Sequence, residues 1–124
     1  MTEEQVVKII LTAVEKNFPK VCSCCSHRFQ TYKDYLQDTF PLGEPLSNDA
    51  AIDDWRPETP LGFLSYSKCK SCTNTLTTNI GSLDKETIWQ LLSWIKEEMK
   101  HRGVSNSAIL NDIRAKMRQQ VLGA

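Results

Sequence analysis

The chain predicts an α+β fold: one helix, then a β-hairpin with a metal-binding turn at its tip, then two closing helices. Three observations predict it. Two Cys-x-x-Cys pairs, Cys22/Cys25 and Cys69/Cys72, stand 43 residues apart. The second pair is flanked by segments rich in aromatic, aliphatic and threonine residues. Apolar residues recur at three- and four-residue spacing before the first pair and after the second. At 124 residues and 40% hydrophobic, the chain suits one core, so a single domain over 1–124 is expected.

In chain order, Val6, Val7, Ile10, Leu11 and Val14 place an amphipathic helix within 1–19, with Thr2 as N-cap and Glu3 and Glu4 in its first turn. Pro19 ends it and leads directly to Cys22. Phe29, Tyr32, Tyr35 and Leu36 follow at mixed spacing, which suits a short strand and a helical turn equally. Residues 41–60 hold Pro41, Gly43, Pro45, Pro57 and Pro60, and the expectation is a long acidic surface loop with Trp55 as its one candidate for burial. Leu61–Ser67 and Thr73–Ile80 read as the two strands of the hairpin. Gly81 and Ser82 break the second strand. Asp84 can then cap a helix through Ile88, Leu91, Leu92, Ile95 and Met99 that stops at Gly103. Ser105 can cap a last helix with Ile109, Ile113, Met117 and Val121 on one face, so 83–124 reads as a helical hairpin.

Fifteen bases balance fifteen acids, leaving no overall field to draw the chain to a polyanion or a membrane. The charge is nevertheless uneven, with a net −6 from Asp34 to Glu58 and a net +4 from Lys68 to the end. The N-terminal segment carries two acids before its apolar residues and lacks the cationic start of a signal peptide, and no apolar run approaches the roughly 20 residues that cross a bilayer. A cytoplasmic location without membrane contact is the expectation. In a reducing compartment, paired Cys-x-x-Cys motifs point to metal rather than to a disulfide framework, and five cysteines do not pair evenly.

Zinc takes four ligands at the corners of a tetrahedron, and each Cys-x-x-Cys turn offers two corners without strain. Cys22, Cys25, Cys69 and Cys72 are therefore the candidate ligands, and zinc the expected ion. Four protein thiolates close the coordination sphere, so the site reads as structural, not catalytic. Two alternatives stay open: Cys24 in place of a neighbour, or His27 as a fourth ligand. Iron also suits four thiolates. Lys20, Arg28, Lys68 and Lys70 flank the pairs and can offset the cluster's negative charge. A thiol–disulfide oxidoreductase would place its pair at a helix N-terminus after a strand, a setting that neither pair has in the predicted order of elements. Gly-rich phosphate loops, Gly-x-Ser-x-Gly elbows and His-Glu-x-x-His motifs are absent from the sequence.

Over residues 20–82 the paired turns, with β-rich segments beside the second, resemble the zinc-ribbon fold group. Within that region Leu64-Ser65-Tyr66-Ser67-Lys68-Cys69-Lys70-Ser71-Cys72 is similar to the Phe-Ser-His-Gly-x-Cys-Pro-x-Cys ending of zinc-knuckle segments in bacterial sensory and response-regulator proteins. The serine keeps its spacing to both cysteines, while Leu64, Tyr66, Ser67 and Lys70 depart from the pattern. The resemblance implies a bacterial cytosolic module of regulatory or interaction type. The expected function is thus a non-enzymatic zinc-stabilised module that binds another protein, with a homodimer through the C-terminal helices as one form of partnership. Nucleic-acid binding is the alternative, resting on Lys100, Arg102, Arg114, Lys116 and Arg118. Thiol redox or metal sensing is a lesser one.

Overall fold

A computed structural model describes residues 1–123 and has the α+β architecture. Helix α1 spans Glu3–Glu15 and starts in a capping box: the Gln5 amide donates to Thr2 Oγ1 (3.2 Å) while the Thr2 amide donates to Gln5 Oε1 (2.8 Å). Its Val6, Val7, Ile10, Ala13 and Val14 are buried. Strands β1 (Lys20–Val21) and β2 (Arg28–Phe29) then form a two-residue antiparallel ladder. Helix α2 (Tyr32–Asp38) follows, capped by Thr31. The mixed spacing around Phe29 and Tyr35 thus resolves into a strand and a helix, each taking part of the pattern.

The expected loop over 41–60 is corrected in its first half. Strand β3 (Thr39–Ser47) pairs antiparallel with β4 (Phe63–Cys69), from Thr39 opposite Cys69 to Ser47 opposite Phe63. Helix α3 (Asn48–Ala51) comes next, and irregular chain covers 52–62. Proline argues against a central strand, but β3 lies at the edge of the sheet order β3-β4-β5, where a missing N–H costs little. The ladder is also interrupted between Leu42 and Leu46, where Gly43 takes φ +68°, a conformation open to glycine. Most β3 side chains are exposed, as a loop's would be, with Thr39, Pro45 and Ser47 buried.

The predicted hairpin is present: β4 pairs with β5 (Thr75–Asn79), Ser65 opposite Thr78. Helices α4 (Lys85–Arg102) and α5 (Asn106–Leu122) are capped by Asp84 and Ser105, and α4 ends at Gly103 in the left-handed conformation. Helix α5 lies over β3 and packs on α4, α1 and α2. Its Ile109, Leu110, Ile113 and Met117 meet the buried α4 residues Ile88, Leu91, Leu92 and Ile95 in one apolar cluster that includes Val6, Ile10, Phe29 and Ile80. At the edge of that cluster the Arg102 guanidinium bridges Glu3 (3.2 Å), Glu98 (2.8 Å) and Asp112 (3.1 Å), while Lys116 pairs with Asp112 (3.1 Å) and Glu3. This network joins α1, α4 and α5. Among the described residues, no helix is long and apolar enough to cross a membrane.

Candidate metal centre

Each cysteine pair sits in a turn closed by its own backbone. In the first, between β1 and β2, the Ser26 amide donates to the Cys22 carbonyl (2.9 Å) and the Cys22 amide to the His27 carbonyl (2.9 Å). In the second, between β4 and β5, the Thr73 amide donates to the Cys69 carbonyl (2.8 Å) and the Cys69 amide to the Asn74 carbonyl (2.9 Å). Ser26 and Thr73, each directly after its pair, both adopt φ 64°. The two turns therefore share one geometry, position for position. Both residues carry a Cβ in the left-handed region, a local strain that the surrounding turn must hold.

These turns bring the four predicted sulfurs together. One Sγ each from Cys22, Cys25, Cys69 and Cys72 lies within 4.8 Å of the others, with Cys22 to Cys72 at 3.5 Å and Cys25 to Cys69 at 3.7 Å. Zinc–sulfur bonds of about 2.3 Å at tetrahedral angles place sulfurs about 3.8 Å apart, so the donor set fits such an ion. The separations far exceed the ~2.05 Å of a disulfide. Cys22 and Cys69 are buried and Cys25 is exposed, so the cluster lies at the protein surface with its first-in-pair thiols inward.

The thiols differ in acidity for identifiable reasons. The Cys25 backbone amide, with that of Cys24 and the side chains of Cys72 and Asn74, holds the Cys22 thiol down at about 6 against desolvation. At Cys72 the Asn74 amide pulls downward too, but desolvation and the neighbouring sulfurs prevail and push the thiol well up. Cys25 is likewise raised, the His27 amide being outweighed by desolvation and by Cys69 and Cys22. Several thiolates at such distances repel one another, and a divalent cation relieves that repulsion.

The alternative ligands stay outside. Cys24 is exposed and does not join the cluster. His27 Nε2 lies 3.2 Å from Asp38 Oδ2, and its ring meets Phe29 edge-on at 4.8 Å. Of the flanking bases, Lys70 turns to the Gln37 carbonyl (2.5 Å) and lies 5.0 Å from the Phe40 ring centre, and Arg28 donates to Gln30 (2.9 Å). Their charges are engaged elsewhere than the sulfurs. Sequence reasoning missed Asn74, whose Nδ2 reaches Cys22 Sγ at 3.8 Å, and Asp38, which anchors His27 and accepts the Lys70 amide at its carbonyl (3.0 Å). Laying the two Cys-x-x-Cys pairs over each other would have aligned Asn74 with His27 and marked both as turn positions; nothing in the sequence singled out Asp38. Neither pair opens a helix, the arrangement a low-pKa redox thiol would use. No family model, curated protein or solved structure matches the chain.

Proposed function

We propose that this chain is a non-enzymatic module whose fold is stabilised by one zinc ion on Cys22, Cys25, Cys69 and Cys72, and that it acts by binding another protein. The observation that carries the metal reading is the convergence of four sulfurs from two sequence-distant turns of identical geometry. A sphere filled by four thiolates leaves no position for activated water, which supports a structural role. A reducing, cytoplasmic setting suits thiols kept for metal. The interaction reading draws on α4, where half-buried Trp89 and Trp55 of the 52–62 segment line one surface hollow and half-buried Trp94 lines another, aromatic side chains of the type that anchor protein interfaces.

The other partnerships have less support. Arg102 and Lys116 are held by Glu3, Glu98 and Asp112, so the basic group on the last two helices offers few free charges to phosphates. A homodimer through the C-terminal helices would need apolar faces that are already covered within the chain. Metal analysis of protein purified without added metal tests the central claim: one zinc per colourless chain is expected. A brown, iron-loaded protein would overturn it in favour of electron transfer.

A further inference from the structure

The sheet face beneath α5 carries a polar patch beside the buried Phe63 and Leu76. Ser65 and Thr78 are direct cross-strand partners on β4 and β5, and Ser67 follows on the same side of β4. A covered sheet face ordinarily takes Val, Ile or Leu. Here these hydroxyls, with Tyr35, Arg114 and Arg118, line a cavity of about 200 Å³ between the sheet, α2 and α5.

The charges in this cavity meet no carboxylate of the described residues at ion-pair distance. Arg114 donates to the Gly43 carbonyl (2.7 Å), Asn111 Oδ1 (2.9 Å) and Ser65 Oγ (3.3 Å), all neutral acceptors. Burial lowers its pKa, and Arg118 adds to that; Tyr32, Tyr35 and the exposed Glu44 act in the opposite sense. Among the described residues, neither Arg114 nor Arg118 has an ion-pair partner. The second observation is independent. Tyr35 is 2% exposed, and its hydroxyl is buried without a hydrogen-bond partner, alone in this among the side-chain atoms of the described residues. Ser67 is close enough to draw the phenol's pKa down against burial, yet no bond is completed. A buried phenol without an acceptor, on the wall of a cavity that two guanidinia without ion-pair partners also line, marks a site short of an anion.

We infer that this cavity binds a small oxyanion of the phosphate class, Arg114 and Arg118 supplying the charge and the Tyr35 and Ser67 hydroxyls donating to its oxygens. Two guanidinia match a doubly charged ion, and donors from helix and sheet address a tetrahedral group from several sides. A planar carboxylate would use only one fork.

Calorimetric titration of the full metal-loaded chain with inorganic phosphate, methyl phosphate and acetate, at fixed ionic strength, tests this. Saturable one-site binding of phosphate or methyl phosphate is expected, with acetate at least about tenfold weaker. Binding of methyl phosphate alone would make the occupant an ester; binding of both would admit the free ion. Arg118→Gln, a change at the half-buried rim, should weaken binding about tenfold or more. Tyr35→Phe should weaken it severalfold while leaving the thermal midpoint unchanged or raised, because the lost hydroxyl bonds to nothing in the free fold. Equal binding of acetate and phosphate, no heat at millimolar phosphate, or phosphate binding untouched by both substitutions would overturn the inference.

Discussion

Replacing Cys24 with Ser leaves metal stoichiometry and fold intact on this geometry, because its thiol is exposed and outside the cluster. Cys69→Ser removes a buried corner of the tetrahedron and should weaken zinc binding beyond the roughly 10–100-fold typical of losing an outer hydrogen-bond partner. Equal loss of metal from both variants, measured by competition with a chromogenic chelator, would show that the ligands are assigned wrongly. Asp49 makes a second residue-scale case. Counted among the acids of a solvated loop, it is in fact 1% exposed and accepts from the amides of Leu61 (3.1 Å) and Gly62 (2.9 Å), tying α3 to the start of β4. Asp49→Ala strands these donors and should cost about 2–3 kcal/mol in denaturant unfolding, and Asp49→Asn, which keeps an acceptor, less. A change below about 0.5 kcal/mol would refute that clamp. The cysteines were legible because few residue types can hold zinc and their spacing is local. Asp49 was not, because its burial depends on where Leu61 and Gly62 arrive from twelve or more residues away.

At the scale of elements, α1, α4, α5 and the β4–β5 hairpin could be read from period and caps, since Thr2, Asp84 and Ser105 act within their own first turns. Strand β3 could not. Its Pro41, Gly43 and Pro45 are local turn signals, and only a partner strand that lies after the 52–62 segment makes them an edge. Limited proteolysis should therefore cut first within 52–60, where Ile52 is 70% exposed and no ladder protects the chain, and spare 39–47. First cuts between Phe40 and Leu46 would mean that the edge strand frays. The charge network joining α1, α4 and α5 gives a pH signature. Desolvation works to raise the Asp112 pKa, but Lys116 and Arg102 overcome it and hold the carboxyl below its ordinary value. Such a group stabilises the fold fully above its unfolded pKa of about 4, and the contribution disappears as pH falls through the lower folded value. With the Asp112 side chain 39% exposed, solvent screening limits this to roughly 0.5 kcal/mol. Wild type should thus exceed Asp112→Asn in stability at pH 7, and the gap should close towards pH 3. A gap that persists in acid would assign the effect to something other than the carboxylate's charge.

For the whole molecule, the metal's share of stability follows from which parts have other support. The β1–β2 ladder is two residues long on each side, too short to stand alone. Its turn is tied to the second one through the sulfur cluster, Asn74 on Cys22, and the contacts of His27 and Lys70 with Asp38. By contrast, β3 and β4 share a long ladder covered by α5, and α4 and α5 bury their apolar faces on each other. A structural zinc ion contributes on the order of 10–16 kcal/mol in small zinc-finger peptides, comparable with the roughly 5–15 kcal/mol stability of a whole domain. That contribution is concentrated where the chain has least other support. Chelation should therefore abolish amide-exchange protection around Lys20–Phe29 and Cys69–Thr75 and loosen the sheet's near end, while circular dichroism retains much of the helical signal. Complete loss of helicity would mean that the apolar cluster cannot persist without the ion. If instead the chelator extracts the metal and protection at Cys22–Phe29 is unchanged, the ion does not hold the fold, and thiol redox or metal sensing becomes the better account of four clustered cysteines.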